Sequence, residues 1–153
     1  MIEGMNLRGY GATYREFSRR FAAWLGLHST DAEALIEILG AEERGTPLSP
    51  ARLSERIALS SGATTALLNR LEQAGHVVRT REHTDRRIVT LRGSGRVQHL
   101  ADEFFGPLSD RVDAVMSAYP PTLLTQVETL ITDLRTAMDA QLAAPPPTPP
   151  QAP

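Results

Sequence analysis

The sequence predicts a mainly α-helical protein of about six helices with one small β-hairpin. Three observations lead to this fold class. Most apolar residues recur at spacings of three and four, which is the period of an amphipathic helix. In the middle of the chain, two short segments rich in β-branched residues flank a polar turn. Two short predicted helices come directly before these segments.

The composition limits the class of protein. The chain has 153 residues and no cysteine, and no apolar segment approaches the roughly 18 residues of a membrane span. Its first residues lack the basic start and apolar block of a secretory signal. Without cysteine there are no disulfides and no thiolate metal sites. We therefore expect a cytoplasmic protein with no cofactor and no bound metal.

Positive charge is concentrated in the middle of the chain. Residues 52–96 contain nine arginines and four acidic residues, a balance of +5, whereas the rest of the chain carries −7. A basic segment between acidic flanks is typical of a protein that binds a polyanion. A random fluctuation of surface charge is the alternative explanation.

The N-terminal segment, residues 1–28, predicts one amphipathic helix from about Met5 to Gly26. This much aromatic surface on one helix requires a partner, so we predict a dimerisation helix. Its bulky apolar residues form one stripe: Tyr10, Tyr14, Phe17, Phe21, Trp24 and Leu25.

A second helix is predicted to begin at a capping box formed by Thr30 and Glu33. Gly40 and Gly45 are expected to help end it. Its buried side is expected to comprise Ala32, Leu35, Ile36 and Leu39.

A helix-turn-helix is predicted next. Ser49 and Pro50 are an N-cap residue and a proline at the first helical position of a third helix. A serine after Leu59 caps a fourth helix that runs to about Ala74, and Gly75 lies where a left-handed C-terminal cap would fall. The apolar-face residues of the two helices are Leu53, Ile57, Thr64, Leu67, Leu68 and Leu71.

The β-hairpin follows directly. Residues 76–81 and 88–91 are predicted strands, and residues 82–87 form the polar turn between them. A helix-turn-helix followed by a hairpin is a winged helix-turn-helix, which we assign to residues 29–94.

The C-terminal part, residues 95–142, predicts further dimerisation helices. Pro107 is expected to kink or split the first of them, and Pro120 with Pro121 forces a corner before the last, from about Thr122. Residues 143–153 predict a disordered proline-rich tail. The apolar face of the last helix comprises Leu124, Val127, Leu130, Ile131, Leu134 and Met138.

The fourth helix and the hairpin are candidate DNA-contacting elements. Small and hydrogen-bonding residues on the first helical turns suit base edges in the major groove, and a narrow basic hairpin suits the minor groove. Asp85 is expected to hold a neighbouring arginine through a charge-assisted hydrogen bond. The candidate DNA-binding residues are Arg52, Ser61, Ala63, Thr64, Thr65, Asn69, Arg70, Arg81, His83, Thr84, Asp85, Arg86 and Arg87.

Residues 48–95 resemble the multiple-antibiotic-resistance regulator (MarR) family of winged-helix repressors. The resemblance implies a homodimer, built by the first and the last two helices, on a pseudo-palindromic DNA operator. It also implies that Arg86 and Arg87 reach the minor groove and that Asp85 orients them. The matching segments are Leu53–Ala58, Asn69–Val77, Asp85–Arg87 and Leu91.

Three positions depart from the family pattern. Ala66 stands where many members have an arginine that contacts bases or phosphates. Asn69 replaces an acid, which weakens a local ion pair. Arg92 replaces a threonine, which leaves Ser94 as the cap of the next helix.

The resemblance also suggests repression that is relieved by a small aromatic or phenolic effector. Arg20, Phe21, Trp24 and His28 are the candidate pocket residues, because this combination suits an aromatic carboxylate. The alternative is that they belong to the dimer core.

Two other classes of protein fit the sequence less well. An enzyme is not expected, because the sequence has no nucleophile-elbow or phosphate-binding glycine motif and its four histidines are widely separated. A winged helix that binds protein instead of DNA is the alternative function. It predicts a wing and fourth helix without positive charge, whereas this segment is basic.

Overall fold

The computed structural model describes residues 6–150, apart from the side chain of Ser29. Within this range it has six helices and a two-stranded antiparallel hairpin, which confirms the predicted fold class. The predicted helix start at Met5 and the last three residues of the tail lie outside the described residues. The elements in chain order are α1 (Leu7–Trp24), α2 (Ser29–Glu43), α3 (Pro50–Ile57), α4 (Ser61–Gln73), β1 (Val77–Thr80), β2 (Thr90–Gly93), α5 (Gly95–Met116) and α6 (Pro121–Ala143).

The chain divides into two units, with the boundary between Phe105 and Gly106, inside α5. The first unit has a hydrophobic core to which α1 to α5 and both strands contribute. Burial of this many aliphatic side chains is the dominant stabilising term of a small domain. The core residues are Phe21, Ala34, Leu35, Ile38, Ala41, Leu48, Leu53, Ile57, Leu67, Leu68, Leu71, Val77, Leu91 and Val97.

The predicted caps of α3 and α4 are confirmed. Ser49 accepts a hydrogen bond from the backbone N–H of Arg52 at 3.3 Å, and Ser60 accepts one from Ala63 at 3.2 Å. These bonds satisfy N–H groups that have no partner within the helix. Gly75 closes the end of α4 with a φ of +76°, a conformation that glycine adopts without steric cost.

The predicted start of α2 was wrong. The helix begins one residue before Thr30, and its N-cap residue is His28, whose side chain caps no backbone N–H. Its core face also differs in part from the predicted one, and Leu35 is the residue that the two share. The observed core face contains Ala34, Leu35, Ile38 and Ala41, whereas Ala32, Ile36 and Leu39 are only partly buried.

The predicted end of α2 was half right. Gly40 lies inside the helix, and Gly45 provides the left-handed residue that follows it, with a φ of +76°. A single glycine is tolerated in a helix when tertiary contacts support its neighbours.

The hairpin was predicted correctly, but its second strand begins later than expected. Val77 pairs with Gly93 and Thr80 with Thr90, so Ile88 and Val89 belong to the loop. The N–H of Ile88 instead donates to the carbonyl of Asp85 at 3.1 Å. This local turn competes with strand pairing and lengthens the loop to residues 81–89. We call β1, β2 and this loop the wing.

Helix α5 is continuous through Pro107, so this proline does not split the helix. Proline removes one backbone hydrogen bond, but the residue is exposed and the flanking turns are intact. The predicted cap at Ser94 is confirmed, because its Oγ accepts from the N–H of Val97 at 3.0 Å.

The second unit comprises the end of α5, α6 and the tail. No residue of its described part, 106–150, is buried, and residues 145–150 have no regular secondary structure. Across residues 6–150, every helix is too short or too polar to cross a lipid bilayer.

Candidate nucleic-acid interface

The first turns of α4 present a small polar surface. Ser61, Ala63 and Thr65 are exposed, as the sequence predicted, and so is Gly62, where an added Cβ would meet nothing within 4 Å. The hydroxyl of Thr65 donates to the carbonyl of Ser61 at 2.9 Å, which leaves its lone pairs free to accept. A helix with such short side chains can bring its backbone close to base edges.

Thr64 does not belong to this surface, although the sequence placed it there. Its side chain is only 2% exposed, and its hydroxyl donates to the carbonyl of Ser60 at 2.8 Å. The Thr64 hydroxyl oxygen also lies 2.7 Å from Oγ of Ser54 on α3. Thr64 therefore joins the two helices of the helix-turn-helix instead of facing outward.

Arg70 is exposed, as predicted, but its guanidinium is bound by an acid on another helix. Its Nε and Nη2 donate to the two carboxylate oxygens of Asp31 at 3.0 and 2.7 Å. This bidentate bond raises the pKa of Arg70 and ties α4 to α2. The guanidinium of Arg70 thus has a structural partner that the sequence, with 39 positions separating the two, did not reveal.

Asn69 takes part in a connection between α4 and the wing. Arg79 on β1 donates from Nη2 to Oδ1 of Asn69 at 3.0 Å and pairs through Nε with Glu72. Both acceptors lie on α4. Arg79 therefore fixes the wing against the helix that carries the exposed polar surface, a role that sequence reasoning missed.

The tip of the wing is basic and ordered by local hydrogen bonds. Arg87 donates from Nε and Nη2 to the two oxygens of Asp85, both at 3.1 Å, and its backbone N–H also donates to Asp85 at 3.0 Å. These bonds hold the pKa of the Asp85 carboxyl below its usual value. The side chain of Arg87 is nevertheless 91% exposed. Asp85 thus holds the solvent-facing guanidinium of Arg87 through charge-assisted hydrogen bonds, as the sequence predicted.

The other predicted wing residues are exposed as well. Arg81 donates to the backbone carbonyl of Arg86, which braces the loop. Within residues 6–150, the side chain of Arg86 has no hydrogen-bond or ion-pair partner. His83 accepts from the N–H of Asp85 at 3.2 Å, and Thr84 is exposed beside it.

The base of the wing is anchored by an ion cluster around Arg92. Arg92 donates to both carboxylate oxygens of Glu82 at 2.7 and 2.8 Å and lies 3.4 Å from Glu42 on α2. The other oxygen of Glu42 accepts from the N–H of Gly93 at 2.9 Å. The bond from Arg92 holds the pKa of Glu82 below its usual value. Arg92, one of the residues that depart from the family pattern, therefore connects β2 to the loop after β1 and to α2.

Arg52 on α3 is exposed, as predicted, and its Nη1 lies 3.3 Å from Glu55 one turn away. An exposed pair of this kind contributes little to stability, so the guanidinium is free to exchange Glu55 for a phosphate.

The predicted effector residues do not form one pocket. Phe21 belongs to the core, with ring centroids 5.4 and 5.5 Å from Phe105 and Phe104. Arg20 is exposed and paired with Glu16 at 3.1 Å. His28 lies beyond the end of α1, as the N-cap residue of α2. The helix that carries the first three of these residues ends at Trp24, so the four do not share one helical face.

The described residues show no metal centre: within 6–150, no group of three or more histidine, aspartate or glutamate side chains is placed to hold an ion.

The exposed polar helix α4 is bonded to α3 through Thr64, to α2 through Arg70 and to the basic wing through Asn69. This arrangement defines a winged helix-turn-helix domain of the DNA-binding type.

Comparisons with known proteins show which family the first unit resembles. Residues 25–88 match the sequence model of the MarR family. An uncharacterized HTH-type transcriptional regulator of Bacillus subtilis, YcgE, is 38% identical over 95 residues, which cover 61% of this chain and 58% of that protein. The chain spans about half the length of the curated relatives it matches. Residues 25–88 are therefore similar to the MarR family, in agreement with the resemblance noted for residues 48–95.

Solved structures show the same fold. A mutant of MepR from a multidrug resistant S. aureus clinical isolate aligns with a TM-score of 0.63 and 11% identity, over 90% of this chain and 98% of that one. NadR in complex with 4-hydroxyphenylacetate aligns with a TM-score of 0.54 and 23% identity, over 88% and 92%. At these identities the similarity is one of fold.

Proposed function

We propose that this protein is a homodimeric, sequence-specific regulator of transcription that binds double-stranded DNA and acts as a repressor in the cytoplasm. The observation that supports this most strongly is the wing: it carries two outward guanidinium groups and is bonded through Arg79 to the exposed polar helix α4.

In this proposal α4 lies in the major groove. Ser61, Ala63 and Thr65 approach base edges, with Gly62 allowing close contact of the backbone. Asn69 accepts from Arg79 at one lone pair of its amide oxygen, so its NH₂ group and the second lone pair are available to a base. Ala66 offers a methyl group where an arginine is usual, which favours contact with a thymine methyl over a guanine edge.

The wing lies in the adjacent minor groove. Arg86 and Arg87 provide the positive charge that a narrow minor groove attracts. Asp85 fixes Arg87 before DNA arrives, so less side-chain entropy is lost on binding. Arg81, His83 and Thr84 support the tip, and Arg52 contacts the phosphate backbone.

A dimer places two copies of α4 in successive major grooves, about 10 bp apart. We assign dimerisation to residues 1–28 and 95–142, and DNA binding to residues 29–94. The exposed apolar surface of the second unit supports this assignment, because a contiguous apolar surface on a helix is normally covered by a partner. The exposed residues include Val112, Val115, Met116, Tyr119, Leu123, Val127, Leu130, Ile131 and Met138.

We further propose that a small aromatic or phenolic effector releases the repressor. The solved complex of NadR with 4-hydroxyphenylacetate, which has the same fold, supports an effector of this size. Such release requires that effector and DNA favour different conformations, a coupling of typically about 1–3 kcal/mol.

Binding to a labelled random-sequence duplex at increasing salt tests the central proposal. A DNA-binding protein gives micromolar binding that weakens steeply with salt, because each phosphate contact releases counterions. The alternative function, a winged helix that contacts protein, predicts no salt-sensitive binding. Absence of binding at low salt would therefore refute the proposal.

A further inference from the structure

An amide on the outward face of α4 is held by an arginine of the wing. Asn69 is exposed and lies two helical turns beyond Gly62, on the face opposite the buried leucines of α4. Nη2 of Arg79 on β1 donates to Oδ1 of Asn69 at 3.0 Å. An exposed side chain of the proposed base-reading helix is therefore positioned from another element.

Arg79 is itself fixed through its backbone and its side chain. Its backbone lies in the strand ladder, where Arg79 pairs with Leu91 of β2, and its Nε pairs with the carboxylate of Glu72 on α4. The side chains of Arg79 and Glu72 are 32% and 35% exposed, so water and salt screen this pair less than a fully exposed one. Because the guanidinium is planar and its N–H groups have a fixed separation, Arg79 presents Asn69 with a donor of defined position.

The bond from Arg79 determines which way the amide of Asn69 faces. A guanidinium has donors and no acceptor, so Oδ1 must lie toward Arg79. A rotated amide would bring its NH₂ group against the N–H groups of Arg79, which is unfavourable because both are donors. The amide is therefore held in one orientation, with its NH₂ group and one lone pair of Oδ1 left for another partner.

A donor beside an acceptor distinguishes among the bases. The major-groove edge of adenine carries a donor at N6 and an acceptor at N7, and an asparagine amide can pair with both. Guanine carries two acceptors there, O6 and N7, so Oδ1 of a fixed amide would be repelled. An acid at the position of Asn69, as in the family pattern, would have no donor for N7. Adenine is therefore the base that the fixed amide of Asn69 matches.

We propose that Arg79 is a positioning residue of the DNA interface, which holds Asn69 so that its amide specifies an adenine in each half of the operator. Arg79 acts through Asn69 and not by contact with the base. Because Arg79 belongs to β1, the wing and the amide also keep a fixed relative position. This role rests on the proposed function, since it requires α4 to lie in the major groove.

The test begins with the sequences that the full-length chain selects from a random duplex library. We expect adenine at one position of each half-site, and no such preference from Asn69→Ala. Replacing this A·T pair by G·C in the selected duplex should weaken binding by the unmodified chain about fivefold or more, the low end of the discrimination by a bidentate contact. Replacing the adenine by 7-deazaadenine, which pairs normally but lacks the N7 acceptor, should also weaken binding.

The variant that isolates the positioning role is Arg79→Met. Loss of a positive charge lowers its affinity for every duplex, so the readout is the ratio of the affinities for the A·T and G·C duplexes, which a purely electrostatic role would not change. We expect this ratio to approach unity. The matched control is Arg56→Met, which breaks an ion pair of 2.6 Å between Arg56 on α3 and Glu37 on α2 and should keep the full ratio.

If Arg79→Met fails to fold, Glu72→Ala takes its place, because it releases the guanidinium from its second acceptor and should lower the ratio in the same direction. An unchanged ratio in the variant that folds would overturn the proposal. So would equal binding of adenine and 7-deazaadenine by the unmodified chain, or an adenine preference that survives Asn69→Ala. Absence of DNA binding at low salt would refute the proposed function and this role together, whereas salt-sensitive binding without an adenine preference would refute this role alone.

Discussion

The two units of this protein use the same kind of residue in opposite ways. In the first unit, leucine, isoleucine and valine side chains from helices and both strands meet in one core. In the second, the apolar residues of α5 and α6 are exposed or only partly covered, and none in the described range 106–150 is buried. The difference indicates that the first unit is stabilised by its own chain, and it supports the proposal that a second copy of the chain covers the apolar residues of the second unit.

The largest expected effect comes from a charge on the apolar face of α6. Leu130→Asp places a carboxylate in the proposed dimer seam, where an unpaired buried charge is strongly unfavourable. We expect monomers or aggregates in light scattering. Thr132→Asp adds the same charge on the opposite face and should remain dimeric.

A folded Leu130→Asp monomer that binds DNA as tightly as the unmodified chain would contradict this comparison. It would show that the second unit does not need a partner and that dimerisation is not required for DNA binding.

The core of the first unit provides the next effect. Leu68→Ala, at a side chain that is 0% exposed, should lower the free energy of unfolding by about 2–5 kcal/mol through lost burial and a cavity. Thr46→Ala, at an exposed polar side chain in the loop between α2 and α3 of the same unit, should change it by less than about 0.5 kcal/mol. Chemical denaturation measures both. Equal losses would mean that burial in this core does not determine the stability of the first unit.

The smallest effect is electrostatic and lies at the base of the wing. Arg92 lowers the pKa of Glu82 below its ordinary value of 4.5, so the pair stabilises the wing above that pH and the contribution is lost as pH falls through the lowered pKa. In Arg92→Met, the carboxyl NMR titration of Glu82 should move up toward 4.5. Arg52→Met, which removes an exposed arginine on α3, should not move it. An unchanged titration in Arg92→Met would exclude the clamp.

Local sequence signals predicted much of the fold. The caps at Ser49, Ser60 and Ser94 and the glycine after α4 were predictable because each acts through residues one to four positions away. The leucines of α4 were predictable because burial follows the helical period. The prediction of Thr30 as the N-cap residue of α2 was wrong. The N-cap residue is His28, and no local sequence signal distinguishes these two positions.

The candidate site was harder to predict because its side chains are positioned by distant partners. Nothing in the sequence indicated that Arg70 pairs with Asp31 on another helix. Nor did it indicate that the hydroxyl of Thr64 lies against Ser54. Asp85 and Arg87 were the exception, since their bond joins residues two positions apart. Arg79 and Arg92 were missed because their acceptors lie on other elements.

The central claim is that the outward arginines of the wing contact DNA, and it is tested most directly by Arg86→Ala combined with Arg87→Ala. The control is Arg44→Ala with Arg135→Ala, which removes equal charge outside the DNA-binding surface. The account predicts that the wing variant, still dimeric by light scattering, loses about 2 kcal/mol or more of binding free energy in fluorescence anisotropy and shows a shallower salt dependence, whereas the control changes little. Binding by the wing variant that equals that of the unmodified chain, at every salt concentration, would contradict it.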